Sequence, residues 1–451
     1  LALFQLAANS SASPSETAFP YRLSVQSDII TAAVLAVAGR FACYCFFTAR
    51  GQLMLTSPET QQTKETAKTS MKCLIKEDLN KDGLTLKSDM PSPKLGLDEV
   101  KIKVLATSVC GTDKSIYHSA QSEGIRNEMQ RYLEGKYDPI IVGHEFCGVV
   151  EEVGEAAKNS GLHVPDHLKI EKGDYVTAEM HLSCGHCFLC RTGNEHICTQ
   201  VKVKGVHLDG CFAQHVVVPY KNVILLNKGG DTSQIPPTIG AMLDAFGNAV
   251  HTVYEADVRG KSVAILGAGP LGLMAAFLCH DFGASRIYIT EAMDTEHRFK
   301  LAESFGADAC FDVSKGSKDL YESVRKHETG SNGVDVVLEM SGSPAAYNDA
   351  FQIVRNGGTV LLLGITRKPL NDFDIANGVI WKGVTVKGIF GRKMFDTWET
   401  MLRLMKSERL DLKSKLARIL FERTYALDDY RSAFDLLSKG EAMKLVFTPE
   451  K

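Results

Sequence analysis

From residue 71 the chain alternates apolar and polar positions with a period of two. The run 100–106 (VKIKVLA) puts every second side chain on one face, which predicts a half-buried strand. Residues 142–153 (VGHEFCGVVEEV), 173–177 (GDYVT) and 212–219 (FAQHVVVP) carry the same signal between glycine-containing turns. Between them, 118–138 (HSAQSEGIRNEMQRYLEGKYD) is polar and charged, which predicts a surface excursion that is part helix.

Near residue 239 the rhythm changes. The runs 262–266 (SVAIL), 286–290 (RIYIT), 334–340 (VDVVLEM), 359–363 (TVLLL) and 384–390 (VTVKGIF) are short and mostly apolar without clean alternation. Helical spacing lies between them: Leu271, Met274 and Leu278 within 270–281 with Gly283 as a stop, a helix ending at Phe305 before Gly306, and a helix over 344–355. Apolar strands that alternate with helices predict a parallel sheet covered on both faces. A further helix over 395–407 and a mixed tail follow. The fold expected is α/β, in two domains. A mostly-β domain takes 71–238 and the tail 389–451, around a doubly wound domain at 239–388.

Residues 1–70 differ. They are rich in Ser, Thr and Ala, and acids are sparse (Glu16, Asp28, Glu59, Glu65). Their longest uncharged apolar run, 29–39, has eleven residues, short of the ~20 a membrane span needs. Residue 1 is Leu, and Met54 and Met71 offer later starts. The segment is expected to be an N-terminal extension: a disordered leader or gene-model artefact, or, on the strength of Arg22, Arg40 and Arg50, a transit peptide.

Charge narrows the partners. Lys plus Arg number 51 against 54 Asp plus Glu, a net charge of −3, so no basic excess exists to hold nucleic acid or an anionic membrane. Of the 12 cysteines, four (Cys184, Cys187, Cys190, Cys198) fall close together, which suggests metal binding in a reducing compartment. The expected location is the cytoplasm, or the mitochondrion if 1–70 is a transit peptide.

Three groupings carry chemistry. The turn Gly267-Ala268-Gly269-Pro270-Leu271-Gly272 is G-x-G-x-x-G between a predicted strand and helix, with Glu291 at the end of the next strand. Gly267 permits the tight turn, Gly269 lets the backbone approach a pyrophosphate, and Gly272 permits close helix–strand packing. A carboxylate at 291 accepts from both ribose hydroxyls and repels a 2′-phosphate, so NAD is favoured over NADP. Arg298 is either an adenosine-side contact or a helix-surface charge. Cys184-x2-Cys187-x2-Cys190-x7-Cys198 supplies four thiolates, the closed shell of a structural zinc, with an iron–sulfur cluster or a metal-free thiol lobe as alternatives. Cys110, in Val109-Cys-Gly-Thr-Asp113, and His144-Glu145 are more diffuse. A thiolate, an imidazole and a carboxylate match a catalytic zinc site, although such residues alone are more often structural.

Taken in order, Cys-Gly-Thr-Asp, Gly-His-Glu, the four-cysteine lobe and the glycine-rich turn resemble the zinc-dependent medium-chain dehydrogenases, over about 71–451. The stretches CGHCFLC (184–190), DAFGNAVHT (244–252), GAGPLGLMAA (267–276), LEMSGSPAA (338–346) and KGIFGRKMFDTWETM (387–401) resemble the branch that oxidises the 3-hydroxyl of L-threonine to 2-amino-3-oxobutanoate. The resemblance implies a GroES-like catalytic domain, a Rossmann NAD domain, one catalytic and one structural zinc, a small-molecule substrate, and a homotetramer or homodimer. It implies Cys110, His144 and Glu145 as catalytic zinc ligands, with Asp244 near the metal, directly or through water. Thr112 matches the hydroxyl that relays the substrate proton, and His181 a histidine of the substrate cleft. Leu271, Glu291, Arg298, Leu363, Gly364, Ile365, Ile389 and Phe390 fall where the family contacts NAD. Ser115 stands where the family's relay has His; it passes a proton only through a hydrogen-bond chain, and His118, one turn later, is the substitute if that segment is helical. Related polyol, butanediol or sugar dehydrogenases, and an NAD-binding protein without catalysis, stay open as alternatives.

Overall fold

The computed structural model describes residues 45–47, 53–55, 70–118, 129, 139–160, 169–366, 369–370 and 373–450. Most of the N-terminal extension and nearly all of the excursion expected at 118–138 lie outside the described residues. The chain divides into two units, Leu1–Ala67 and Lys68–Lys451. In the first, Cys45–Phe47 pairs antiparallel with Leu53–Leu55. All that follows concerns the second.

Its first half is antiparallel β. Strands β1 (Ser70–Lys76) and β2 (Thr85–Pro91) precede β3 (Glu99–Ser108) and helix α1 (Gly111–Tyr117). Strands β4 (Ile140–Ile141), β5 (Glu145–Val153), β6 (Tyr175–Ala178), β7 (His215–Pro219) and β8 (Val223–Asn227) follow. The larger sheet runs β7-β3-β5-β6-β8, and β2-β1-β4 form a smaller one. In β3 the inward set Val100, Ile102, Val104 and Ala106 is fully buried while the lysines between are half-buried, the outcome of period-two patterning. The strand expected at 142–153 begins only at Glu145, with 142–144 outside any strand. Gly143 has φ +93°, a conformation open to glycine at little cost, and it breaks the ladder just before His144.

Helix α2 (Leu243–Ala256) leads into the second half. There, strands β9 (Ser262–Leu266), β10 (Arg286–Glu291), β11 (Ala309–Asp312), β12 (Val334–Glu339), β13 (Val354–Leu362) and β14 (Thr385–Gly388) form one parallel sheet in the order β11-β10-β9-β12-β13-β14. Helices α3 (Pro270–Asp281), α4 (Thr295–Ser304), α5 (Lys318–His327) and α6 (Pro344–Ile353) are the crossovers. β9 is buried at every position, which is why its sequence shows no alternation. The order reverses between β9 and β12, and in open α/β sheets that switch point is where ligands sit, beyond the strands' carboxyl ends.

Helices α7 (Asp396–Met405) and α8 (Tyr430–Lys439) lie in the tail. Its last strand, β15 (Val446–Phe447), returns to pair with Ser108 and Thr107 at the end of β3. Helix α2 joins the halves: its Phe246 and Val250 share one core cluster with Ala106, Cys147 and Tyr175 of the first sheet and Val263 and Ile265 of the second. The expected α/β architecture, mostly-β beside doubly wound, is the one observed. Among the described residues no helix is long and apolar enough to cross a membrane.

The glycine-rich turn follows β9 directly. Gly267 has φ +106°, and a Cβ on Gly272 would collide with the carbonyl oxygen of Gly267. Backbone cannot yield as a flexible side chain can. Gly272→Ala is therefore expected to lower stability by about 1–3 kcal/mol in urea unfolding and to weaken NAD binding; an unchanged unfolding midpoint would show that the turn relaxes without cost.

Candidate active site

Cys110 is the N-cap of α1, two residues beyond β3, and His144 immediately precedes β5. Ser108 lies opposite Glu145 in the β3–β5 register, so the pairing itself carries these distant residues together. One donor atom from each of Cys110, His144 and Glu145 lies within 4.8 Å of the other two. Asp113 supports two of them: its Oδ2 accepts from the Cys110 backbone N–H at 2.9 Å, and its Oδ1 is 3.3 Å from His144 Nδ1. A carboxylate against Nδ1 leaves Nε2 for an ion. Burial pulls the His144 pKa down, but Asp113 and Cys110 outweigh it and hold the imidazole well above its usual range.

Glu145 is fully buried, and its Oε2 meets Ser108 Oγ and the buried ammonium of Lys444. Among the described residues its Oε1 has no hydrogen-bond partner. An orphaned oxygen beside a thiol and an imidazole suits a divalent cation of zinc's preferences.

The second group lies in the lobe after His181. The Sγ–Sγ distances are 3.9 Å for Cys184–Cys190, 3.5 Å for Cys187–Cys190 and 3.8 Å for Cys187–Cys198. Four sulfurs bound to zinc at about 2.3 Å in a tetrahedron would sit roughly 3.8 Å apart, so the lobe fits zinc as it stands. Backbone N–H groups of Cys187 and Gln200 donate to the Cys184 and Cys198 sulfurs at 3.3 Å. The backbone at Cys190 helps pull the Cys187 thiol down to about 6, toward the thiolate a metal takes.

Asp244, expected at the metal, lies at the start of α2 and is not in the ligand group. Its Oδ1 pairs with Arg392 Nη1 at 2.7 Å, because a carboxylate this buried needs a cation and Arg392 is fully buried beside it. Arg392 also binds Glu179 through Nε at 2.9 Å and Nη2 at 2.6 Å. Trp398 Nε1 donates to Glu179 at 2.8 Å, and His181 Nδ1 is 2.7 Å from the same carboxylate. Ser115 donates to the Gly111 carbonyl, one helical turn back, at 3.0 Å. His118 is the C-cap of α1 rather than part of it, and its ring meets Ser438 Oγ at 2.8 Å and Asp82 at 3.3 Å. The structure thus engages His118 with α8 and the loop before β2 rather than with the metal group. Thr112 lies in the first turn of α1, two residues past Cys110.

The nucleotide-type residues gather at the carboxyl edge of the parallel sheet. Space within 4 Å of a Cβ on Gly269 is open, which suits a diphosphate at the α3 N-terminus, where Pro270 and Leu271 are half-buried before the fully buried run 272–279. Glu291 accepts from the Ala268 N–H at 3.1 Å and pairs with Arg298 Nη1 at 2.7 Å. Leu363 and Gly364 both donate to the Glu339 carbonyl at 3.0 Å. Ile365 and Phe390 are exposed, while the Ile389 side chain is buried. Phe390 meets the His181 ring edge-on, with centroids 5.6 Å apart, so the crevice end and the buried network adjoin.

Residues 270–407 match the zinc-binding dehydrogenase family and 96–228 the alcohol dehydrogenase GroES-like domain. The chain is 39% identical over 360 residues to an L-threonine 3-dehydrogenase of Caldanaerobacter subterraneus, covering 79% of this chain and 93% of that one. It is 38% identical over 380 residues to the enzyme of the same name from Bacillus velezensis, covering 84% and 99%. The chain belongs to the zinc-binding alcohol dehydrogenases. Among solved structures, the 2R,3R-butanediol dehydrogenase of Bacillus subtilis shares the fold at TM-score 0.67 and 25% identity, over 84% of this chain and 100% of that one.

In this dehydrogenase several further site residues carry a sequence signal of another kind. Glu179 (YVTAEM), Glu339 (VVLEM) and Lys444 (AMKLVF) are single charges inside mostly apolar runs, and each is buried. A charge placed so needs a buried partner, which the sequence does not name. Arg392 and Trp398 lie within the subfamily stretch 387–401, but nothing in their spacing points to Glu179.

The Glu291–Arg298 pair generates a test of cofactor choice. Glu291→Ala removes the carboxylate expected to accept from the ribose and releases the Arg298 guanidinium, which can take a 2′-phosphate. The NAD-over-NADP preference in kcat/KM is expected to narrow by roughly tenfold or more; an unchanged ratio would refute the assignment.

Proposed function

We propose that this dehydrogenase oxidises the 3-hydroxyl of L-threonine with NAD, giving 2-amino-3-oxobutanoate. The observation that carries the substrate is the likeness to enzymes of that name, which spans both the metal group and the nucleotide crevice. Oxidation removes the hydroxyl proton and a hydride from C3; zinc when bound acidifies the hydroxyl, and NAD takes the hydride.

The chain's own residues hold, orient and shield. Cys110, His144 and Glu145 would hold the catalytic ion. Asp113 fixes the Cys110 backbone and the His144 ring, and Lys444 with Ser108 fixes Glu145. Thr112, in the first turn of α1, would receive the hydroxyl proton. Ser115, bonded back to Gly111, steadies that helix turn. His181 adjoins Phe390, where substrate would meet the nicotinamide. The four-cysteine lobe would hold the structural zinc, leaving no coordination position for substrate.

A butanediol or polyol substrate is the second reading, supported by the shared fold of the butanediol enzyme. Self-association is also proposed. β14 is an edge strand whose residues are all exposed, and Ile380, Trp381 and Val386 are exposed beside or on it. The free thiols suit a reducing compartment, the cytoplasm or, with a transit peptide, the mitochondrion.

NADH formation by the purified protein with L-threonine, 2,3-butanediol and sorbitol tests the substrate, and L-threonine is expected to have the highest kcat/KM. Cys110→Ser is expected to abolish turnover, drop zinc from two to one per chain and leave NAD affinity near normal; full activity would remove the metal group from the mechanism. Light scattering should give at least twice the chain mass, and a monomer at micromolar concentration would exclude the interface.

A further inference from the structure

Glu179 lies just past β6 and is completely buried, 213 residues away in sequence from its main partner, Arg392. Both of its oxygens are heavily used. Oε1 accepts from the His181 backbone N–H at 2.9 Å and from Arg392 Nη2 at 2.6 Å, and it faces His181 Nδ1 at 2.7 Å. Oε2 accepts from Arg392 Nε at 2.9 Å and Trp398 Nε1 at 2.8 Å. Burial alone would raise the Glu179 pKa, but the Arg392 guanidinium holds it well below the usual carboxylate range. An ionised carboxylate only accepts, so the proton between Glu179 and His181 belongs to Nδ1.

In a neutral imidazole the other nitrogen is then bare. Arg392 Nη2 is also 2.9 Å from Nδ1, but its hydrogen bond to Glu179 Oε1 is the shorter, at 2.6 Å. Among the described residues Nε2 has no hydrogen-bond partner, although the side chain is 13% exposed and packs edge-on against Phe390. The Glu179 carboxylate lies directly behind the ring, and Arg392 divides its single positive charge between Glu179 and Asp244. A bare acceptor backed by negative charge suits an ammonium group and gives a diol no comparable advantage.

We propose that Glu179 is a positioning residue that holds His181 in the Nδ1–H tautomer and so offers Nε2 to the ammonium of a 2-amino-3-hydroxy acid. The proposal rests on the amino-alcohol reading above and explains how that reading is enforced. It assigns Glu179 no contact with substrate; its effect passes through His181.

The test compares L-threonine with 3-hydroxybutanoate, which keeps the carbon skeleton and hydroxyl but lacks the amine. Glu179→Gln in the zinc-loaded enzyme is expected to raise KM for L-threonine roughly tenfold, with kcat within about twofold. The amine-free compound should bind as it does to the wild type, read as its KM or, where it is not turned over, as its inhibition constant. Zinc content and NAD affinity should also stay unchanged. Adding Glu179→Gln to His181→Phe should raise KM no further, since the two act as one unit. Equal losses with both compounds, or additive losses in the double variant, would overturn the proposal. Should Glu179→Gln fail to fold, imidazole 15N shifts of the wild-type protein decide: Nδ1 protonated and Nε2 bare supports the proposal, and the reverse overturns it. A wild-type enzyme that forms NADH from 2,3-butanediol but not from L-threonine overturns the functional reading and this proposal with it. Activity on L-threonine with no amine-specific effect overturns this proposal alone.

Discussion

The register between β3 and β5 is the constraint on which the site depends. Ser108 stands opposite Glu145, so Cys110 and His144, thirty-four positions apart, emerge from the same end of one ladder. The last strand adds to it: β15 pairs with Ser108 and Thr107, and the segment leading into it carries Lys444 to the Glu145 carboxylate. Three remote stretches thus meet at one strand terminus. A slip of one residue would turn Glu145 to the opposite face of the sheet and leave the Lys444 ammonium buried without its partner. Packing does not have to select the metal geometry separately, because backbone pairing has already brought its parts together.

Arg392 does for the two halves what that register does for the first sheet. It binds Glu179 beyond β6, Asp244 and Asn248 of α2, and sits in the segment after β14. Burying a guanidinium is costly, and the cost is offset only while both carboxylates stay in place; breaking such a pair costs about 3–5 kcal/mol. The network is therefore specific in a way an apolar contact is not, since a displacement that breaks its hydrogen bonds exposes an uncompensated charge. Asp244 sits here rather than in the metal group for this reason, and burial accordingly raises its pKa against the opposing pull of Arg392.

Much of this was legible in the sequence, and the limits have physical causes. Five of the six strands of the parallel sheet are readable because each is a short, mostly apolar run between glycine and helix signals, and β9 and α3 fall at the residues expected; β11, half-buried and only four residues long, carries no such run and was not expected. Cys184, Cys187, Cys190 and Cys198 are readable because local spacing alone nearly builds their site. Cys110 and His144 are individually ordinary residues, and only a family resemblance joins them, since register is a long-range property. The break at Gly143 was missed because a glycine that ends a ladder and one that lies within it look alike in sequence. The Glu179–Arg392–Trp398 cluster was invisible for the same long-range reason, although the lone charge at 179 marked where to look. Ser115 and His118 could be placed near the site from sequence, but whether their side chains join it depends on rotamer and helix end, and neither is set by spacing.

Four consecutive residues link the edge of the parallel sheet to the buried Arg392 network. The Ile389 N–H donates to the Leu362 carbonyl at 2.9 Å, which holds the segment to the sheet edge beside Leu363 and Gly364. Phe390 meets the His181 ring, the Gly391 carbonyl accepts from His251 Nδ1 at 2.9 Å, and Arg392 locks into Glu179 and Asp244. The four are held in turn by β13, by His181 of the short strand His181–Leu182, by His251 of α2, and by the buried carboxylates Glu179 and Asp244. A shift of the nucleotide end large enough to move Phe390 must strain contacts to the other three. Hydride transfer demands that donor and acceptor carbons be placed to within fractions of an ångström, and a segment fixed at four successive positions is a physical means of meeting that demand without a moving part.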